Sequence, residues 1–142
     1  MSGIPMKTYC LDASALVMYI TDQKPSKEMQ RIMRRIENKT ARGIMSMVTI
    51  AELHRAITRI SSEDQADKYV SYIQESPIQI IQVDLQIALQ ASIKKQRYAT
   101  AKDPFAWGDA FCLATGIIHH ADALVTSDSE FDKVKGIQII KI

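Results

Sequence analysis

Four acidic residues stand where apolar runs end: Asp12 after YCL, Glu52 just beyond IMSMV, Asp109 inside WGDAFCLATG and Asp128 after ALVTS. Glu28, Glu63 and Asp67, by contrast, lie in polar surroundings. A carboxylate is costly to take out of water unless something positive accompanies it. The chain places no lysine or arginine opposite Asp12, and four acids brought together repel, so some stay protonated unless a cation joins them. A hard divalent ion, Mg²⁺ or Mn²⁺, prefers oxygen ligands and removes the conflict. The chemistry such a centre suits is attack of water on a phosphodiester, with the ion neutralising charge during in-line displacement.

Each acid also has an ordinary role open to it. Asp12 or Ser14 can cap a following helix. Thr49-x-x-Glu52 has the spacing of a capping box, and Glu52 can pair with Arg55. Asp109 suits a helix N-terminus through the dipole. Asp128 can be an N-cap, or Ser127-x-x-Glu130 a second box. The four together are harder to explain this way than each alone.

Apolar patterning predicts the elements that position them. Thr8 to Leu11 reads as a strand, followed by a helix with Ala15, Leu16, Tyr19 and Ile20, which DQKP at Asp22 to Pro25 breaks. Met29, Ile32, Met33 and Ile36 form the inner stripe of a second helix, with Lys27, Arg31, Arg34 and Arg35 on its other faces. Ile44 to Val48 reads as a buried strand, with Thr49 capping a third helix. Ile50, Leu53, Ile57 and Ile60 are its stripe, and Glu52, Arg55 and Arg59 share its flank. Ser62-x-x-Gln65 opens a fourth helix that carries Ala66, Tyr69, Val70 and Ile73. Ile78 to Val83 is a strand, and the helix starting at Asp84 is expected to turn Leu85, Ala88, Leu89 and Ile93 inward. A long helix from Pro104 or Trp107 to Ala121, a strand Ala123 to Thr126, a short helix with Phe131 and Val134, and a strand Ile137 to Ile140 complete the chain. Alternating strands and helices predict an α/β fold, a parallel sheet with helices on both faces. In such sheets chemistry gathers beyond the carboxyl ends of the strands, where all four acids fall.

The 142 residues fit one domain, expected over residues 6–142 behind a loose leader at 1–5. Apolar residues at 46% and charged residues at 24% exclude a disordered or fibrous chain. Eighteen basic against sixteen acidic residues leave a net +2, so any contact with nucleic acid must be local. Cys10 and Cys112 have neither disulfide-framework nor zinc spacing and read as buried free thiols. No membrane span or secretion signal is visible, and the expected location is the cytoplasm. His54, His119 and His120 are scattered and no Gly-rich phosphate loop occurs.

YCLDASAL, SMVTIAEL, WGDAFCLATG and ADALVTSDSEFDKV, in this order, resemble the PIN domain, most closely the small VapC-type toxins of toxin–antitoxin pairs. The resemblance implies a PIN-like three-layer α/β/α fold with a central parallel sheet of about five strands. It further implies a homodimer, a partner antitoxin and Mg²⁺- or Mn²⁺-dependent endoribonuclease activity. By matched position, Asp12, Asp109 and Asp128 would hold the metal and Glu52 complete the catalytic acids, with Ser14 and Thr126 orienting ligands or water. Arg55 and Arg59 are candidates for contact with RNA.

Ala106 departs from the pattern, since many relatives carry Ser or Thr three residues before the third acid. Asp103 is either an N-cap before Pro104 or a substitute acid, and Asp132 is a further candidate. Two other functions remain open. A haloacid-dehalogenase-like phosphatase also begins with an acid after the first strand, but wants Asp-x-Asp where this chain has Asp12-Ala13-Ser14. A non-catalytic PIN-like module would bind RNA without cutting it.

Overall fold

The computed structural model describes residues 5–22 and 24–142. The leader expected at 1–5 lies, apart from Pro5, outside the described residues, as does Gln23 within the DQKP break. The elements run β1 (Thr8–Leu11), α1 (Ala13–Thr21), α2 (Lys27–Glu37), β2 (Arg42–Ser46), α3 (Met47–Ile60), α4 (Glu63–Glu75), β3 (Gln79–Ile81), α5 (Leu85–Tyr98), α6 (Trp107–Ile118), β4 (Ala123–Thr126), a short 3-10 helix (Ser129–Lys133) and β5 (Gln138–Lys141).

All five strands are parallel, in the order β3-β2-β1-β4-β5. Such strands are buried on both faces, which is why they read as continuous apolar runs. Alternation still sorts the side chains. Tyr9, Leu11, Met45 and Val125 face a core with the inner residues of α1 to α4, including Leu16, Met33, Leu53 and Ile73. Cys10, Ile44 and Leu124 face the other core, with Ile87 and Ala91 of α5, Leu113 of α6, Phe105 and Phe131. The sheet is thus the middle of three layers. The chain leaves β1 toward β2 on one side and returns to β4 on the other, so the switch point of the topology lies between β1 and β4.

Local chemistry explains most helix starts. Ser26, Ser62 and Asp84 each accept a hydrogen bond from a backbone N–H in the first turn of α2, α4 and α5. The inner stripe of α2 is buried at all four expected positions, and Arg35 donates to the Tyr9 hydroxyl.

Several boundaries and one face differ from the sequence reading. β2 stops at Ser46 rather than Val48, because the Ser46 hydroxyl accepts from Val48 N–H and starts α3 there. Thr49 is therefore inside the helix, and its buried Oγ1 has no hydrogen-bond partner among the described residues, so the Thr49-x-x-Glu52 box does not form. Ile60 is exposed, and Thr49, Leu53 and Ile57 are the buried positions of α3. β3 is shorter than expected, β5 begins one residue later, and α6 ends at Ile118. In α5 the inward residues are Ile87 and Ala91, whereas Leu85, Leu89 and Ile93 are 75%, 57% and 47% exposed. Helical periodicity fixes which residues share a face, but contact with α6 decides which face is covered.

Cys10 and Cys112 are free and buried as expected. Although distant in sequence they are neighbours, the Cys10 thiol donating to the Cys112 carbonyl at 3.6 Å.

Candidate functional site

At the switch point, β1 delivers Asp12 and β4 delivers Thr126 to the same edge. Asp12 occupies the N-cap position of α1, but its side chain makes no capping bond. Its Oδ2 instead accepts from Ser14 Oγ at 2.6 Å and from Thr126 Oγ1 at 2.8 Å. Each hydroxyl in turn accepts a backbone N–H, Ser127 to Ser14 and Asp128 to Thr126. Both hydroxyl protons are thereby aimed at one carboxylate oxygen, which keeps Asp12 oriented although it is 3% exposed. Burial pushes its pKa up, against the lowering effect of the two hydroxyls.

Asp109 lies in the first turn of α6 and is 7% exposed. Its pKa is raised to about 9, first by burial, then by a hydrogen bond with Glu130 and by the charges of Asp12, Glu130 and Asp128. The pKa of Glu52 is raised to about 7, again by burial first and then by Asp12 and Asp128. Its Oε1 is buried and has no hydrogen-bond partner among the described residues. Asp128 caps the 3-10 helix by accepting from Glu130 N–H, so the Ser127-x-x-Glu130 box is replaced by an Asp128 cap.

Among the described residues, ligand oxygens of Asp109, Asp128 and Glu130 lie within 4.8 Å of one another. Glu130 is the acid that sequence reasoning treats only as a cap partner. The available signal is its position two residues after Asp128, on the turn that Phe131 anchors. Phe131 is fully buried, packing edge-on against Phe105 with ring centroids 5.9 Å apart. A donor set made only of carboxylates, with the pKa values of Asp109 and of the neighbouring Asp12 and Glu52 raised, fits a hard divalent cation.

The remaining candidates fall elsewhere. Asp103 neither caps a helix nor joins the cluster; it accepts from Phe105 N–H and pairs with Lys133, which holds its carboxyl below the usual range. Asp132 pairs with Lys141. Ala106 is the N-cap of α6 and offers no side-chain bond there. Arg55 and Arg59 lie on α3 and line a groove together with Glu52, Ser14, Met18 and Ser127.

The sequence model of the PIN domain matches residues 9–137. The chain belongs to the PIN domain family. Known structures agree with this PIN fold. VapBC2 from Rickettsia felis, solved bound to a fragment of its promoter DNA, superposes with a TM-score of 0.75 at 14% identity, covering 95% of this chain and 98% of that one. DNA-bound VapBC from Salmonella typhimurium gives 0.73 at 19% identity, with 96% and 98% covered. VapC20 of Mycobacterium tuberculosis, a toxin that cleaves the sarcin–ricin loop, gives 0.71 at 13% identity, with 89% and 93% covered. No curated protein matches the PIN chain by sequence. Membership of this family leaves the phosphatase reading without support, and the shared fold is the three-layer arrangement described above.

Proposed function

We propose that this PIN domain, residues 6–142, is a metal-dependent endoribonuclease and the toxin of a toxin–antitoxin pair, acting in the cytoplasm. The observation that carries the reading is the gathering of Asp12, Glu52, Asp109, Asp128 and Glu130 at the switch point, with Asp12, Glu52 and Asp109 held above their ordinary pKa. Asp109 and Asp128, with Asp12 and the added Glu130, would hold Mg²⁺ or Mn²⁺. Such an ion, when bound, lowers the cost of forming a nucleophile from water and of charge on the phosphate. Ser14 and Thr126 keep Asp12 from rotating out of the site. Glu52, outside the close acidic triple, takes the proton of the attacking water, and the departing strand is left with a 3′-hydroxyl; its pKa, raised to about 7, supports that role. Arg55 and Arg59 contact the RNA backbone, which positions the substrate without reading its sequence.

The test is cleavage of a mixed RNA pool by purified protein in Mn²⁺ and in EDTA. Cleavage is expected only with the metal; equal cleavage in EDTA ends the metal reading. RNA binding without cleavage in either condition establishes the non-catalytic module instead. A partner antitoxin is supported by the VapBC complexes that share the fold, and a short adjacent reading frame for a DNA-binding protein is the corresponding expectation.

The homodimer is also retained as a proposal, supported by the uncovered stripe Leu85, Leu89 and Ile93 of α5. A second copy covering that stripe would remove apolar surface from water at both α5 helices. Light scattering after gel filtration should give twice the chain mass for the wild type and the single mass for Leu89→Glu. A Leu89→Glu protein that stays dimeric removes α5 from the interface.

A further inference from the structure

Glu52 reaches the acidic cluster from α3, and it does so across the first turn of α6 at Gly108. A β-carbon built at position 108 would fall inside contact distance of all three atoms of the Glu52 carboxylate group, 2.8 Å from Oε1 and closer to Oε2 and Cδ. Other glycines meet different neighbours: Gly43 lies against Ile36, and Gly116 against Cys10 and Ile137. Among the described glycines, Gly108 alone makes room for a charged side chain.

A glycine inside a helix is less favourable than alanine, so its place in α6 calls for a local cause. Backbone freedom is not that cause, since Gly108 is absent from the positive-φ residues. The cause is steric. Among the described residues Oε1 has no hydrogen-bond partner, so at that oxygen the position of the carboxylate depends on the space left at 108.

We infer that Gly108 is a positioning residue: the absence of a side chain there admits the Glu52 carboxylate to the acidic cluster. With a methyl group at 108, Glu52 must turn out of the cluster, and the open direction is the groove it shares with Arg55 and Arg59. The inference rests on the nuclease reading for its functional consequence, but the contact between positions 108 and 52 is testable without it.

The experiment compares wild type, Gly108→Ala, Glu52→Asp, Glu52→Ala and the two double variants. Three quantities are read: Mn²⁺ affinity by calorimetry, kcat and KM on RNA, and the melting temperature in EDTA. Gly108→Ala is expected to lower kcat at least tenfold with KM changed less than threefold, and to weaken Mn²⁺ binding severalfold. Glu52→Asp, one methylene shorter, should recover part of kcat when added to Gly108→Ala. In the Glu52→Ala background, where nothing remains to clash with, Gly108→Ala should leave Mn²⁺ affinity unchanged and raise the melting temperature, as alanine for glycine does in a helix.

Wild-type kcat and Mn²⁺ affinity in Gly108→Ala overturn the inference. So does a loss of Mn²⁺ affinity from Gly108→Ala that is equal whether Glu52 is present or has been replaced by alanine. Should Gly108→Ala fail to fold, the Glu52→Ala double variant decides: folding there supports the clash, and failure there overturns it. A wild-type protein that neither cuts RNA nor binds Mn²⁺ overturns the nuclease reading, while the melting-temperature coupling between 108 and 52 still reports on the contact.

Discussion

Replacing Asp109 with asparagine should lower metal-dependent RNA cleavage by about a thousandfold, roughly 4 kcal/mol of transition-state stabilisation, and yet raise the melting temperature of the metal-free protein at pH 8. The two effects have opposite signs because the carboxylate is costly without a cation and needed with one. Asp109 is almost fully buried at the start of α6 and faces the charges of Asp12, Asp128 and Glu130. With its pKa raised to about 9, Asp109 has to take up a proton to fold at pH 8 without metal; asparagine has nearly the same shape and no ionisable group, so it removes that cost of protonation from folding of the metal-free protein. It also removes one oxygen ligand of negative charge, which a hard cation needs. Cleavage assays in Mn²⁺, with melting curves in EDTA, measure both. An active Asp109→Asn protein would place the chemistry elsewhere, and a destabilised one would show that Asp109 serves the fold.

Raising the pH from 5 to 8 should lower the melting temperature in EDTA by several degrees and should do so much less in saturating Mn²⁺. The sign follows from proton counting. The folded protein keeps protons on Asp109 up to a pKa of about 9 and on Glu52 up to about 7, whereas the unfolded chain releases both near the ordinary value of about 4. Between these limits the native state binds more protons than the unfolded state, so stability falls as pH rises. Asp103 acts in the opposite sense, because its lowered pKa gives stability that is lost only as pH falls below the ordinary carboxylate range. That window lies below pH 5 and does not cancel the effect. Mn²⁺ competes with protons for the same oxygens, so its stabilisation grows with pH; at one hundred times its Kd it amounts to about 2.7 kcal/mol. Scanning fluorimetry across this pH range, with the Asp109→Asn protein as a flatter control, is the measurement. Identical slopes in EDTA and Mn²⁺ would mean that the acids do not meet the ion.

Much of this architecture is legible in the chain because it depends on neighbours in sequence. The inner stripe of α2 and the caps at Ser62 and Asp84 involve groups within a turn of one another, and local spacing determines whether they meet. The strands β1 and β4 are short apolar runs closed by polar residues, and their ends mark where Asp12 and Asp128 emerge. The alternation of strands and helices implies a parallel sheet, because parallel neighbours need a crossover between them.

Other features were settled by groups far apart in sequence or by competition between near neighbours. Ser46 rather than Thr49 starts α3, a choice between two hydroxyls that apolar patterning does not resolve. The buried face of α5 depends on how α6 lies against it, and Leu85, Leu89 and Ile93 have the same periodicity whether covered or not. The pairing of Cys10 with the Cys112 carbonyl spans 102 positions. Glu130 joins Asp109 and Asp128 in the folded chain, where its neighbour Phe131 is buried in the same core as Leu113 of α6 and Phe105.

Asp12 shows both sides of this division. By itself the sequence determined that an acid stands at the end of a buried strand with no basic partner at hand. Only the tertiary structure decided that Ser14 and Thr126 share its Oδ2, and that Gly108 leaves the space through which Glu52 enters. The physical reason is range: backbone periodicity and capping act within a turn, whereas the strand order that joins β1 to β4, and α3 to α6 beyond them, is set by packing of the whole core.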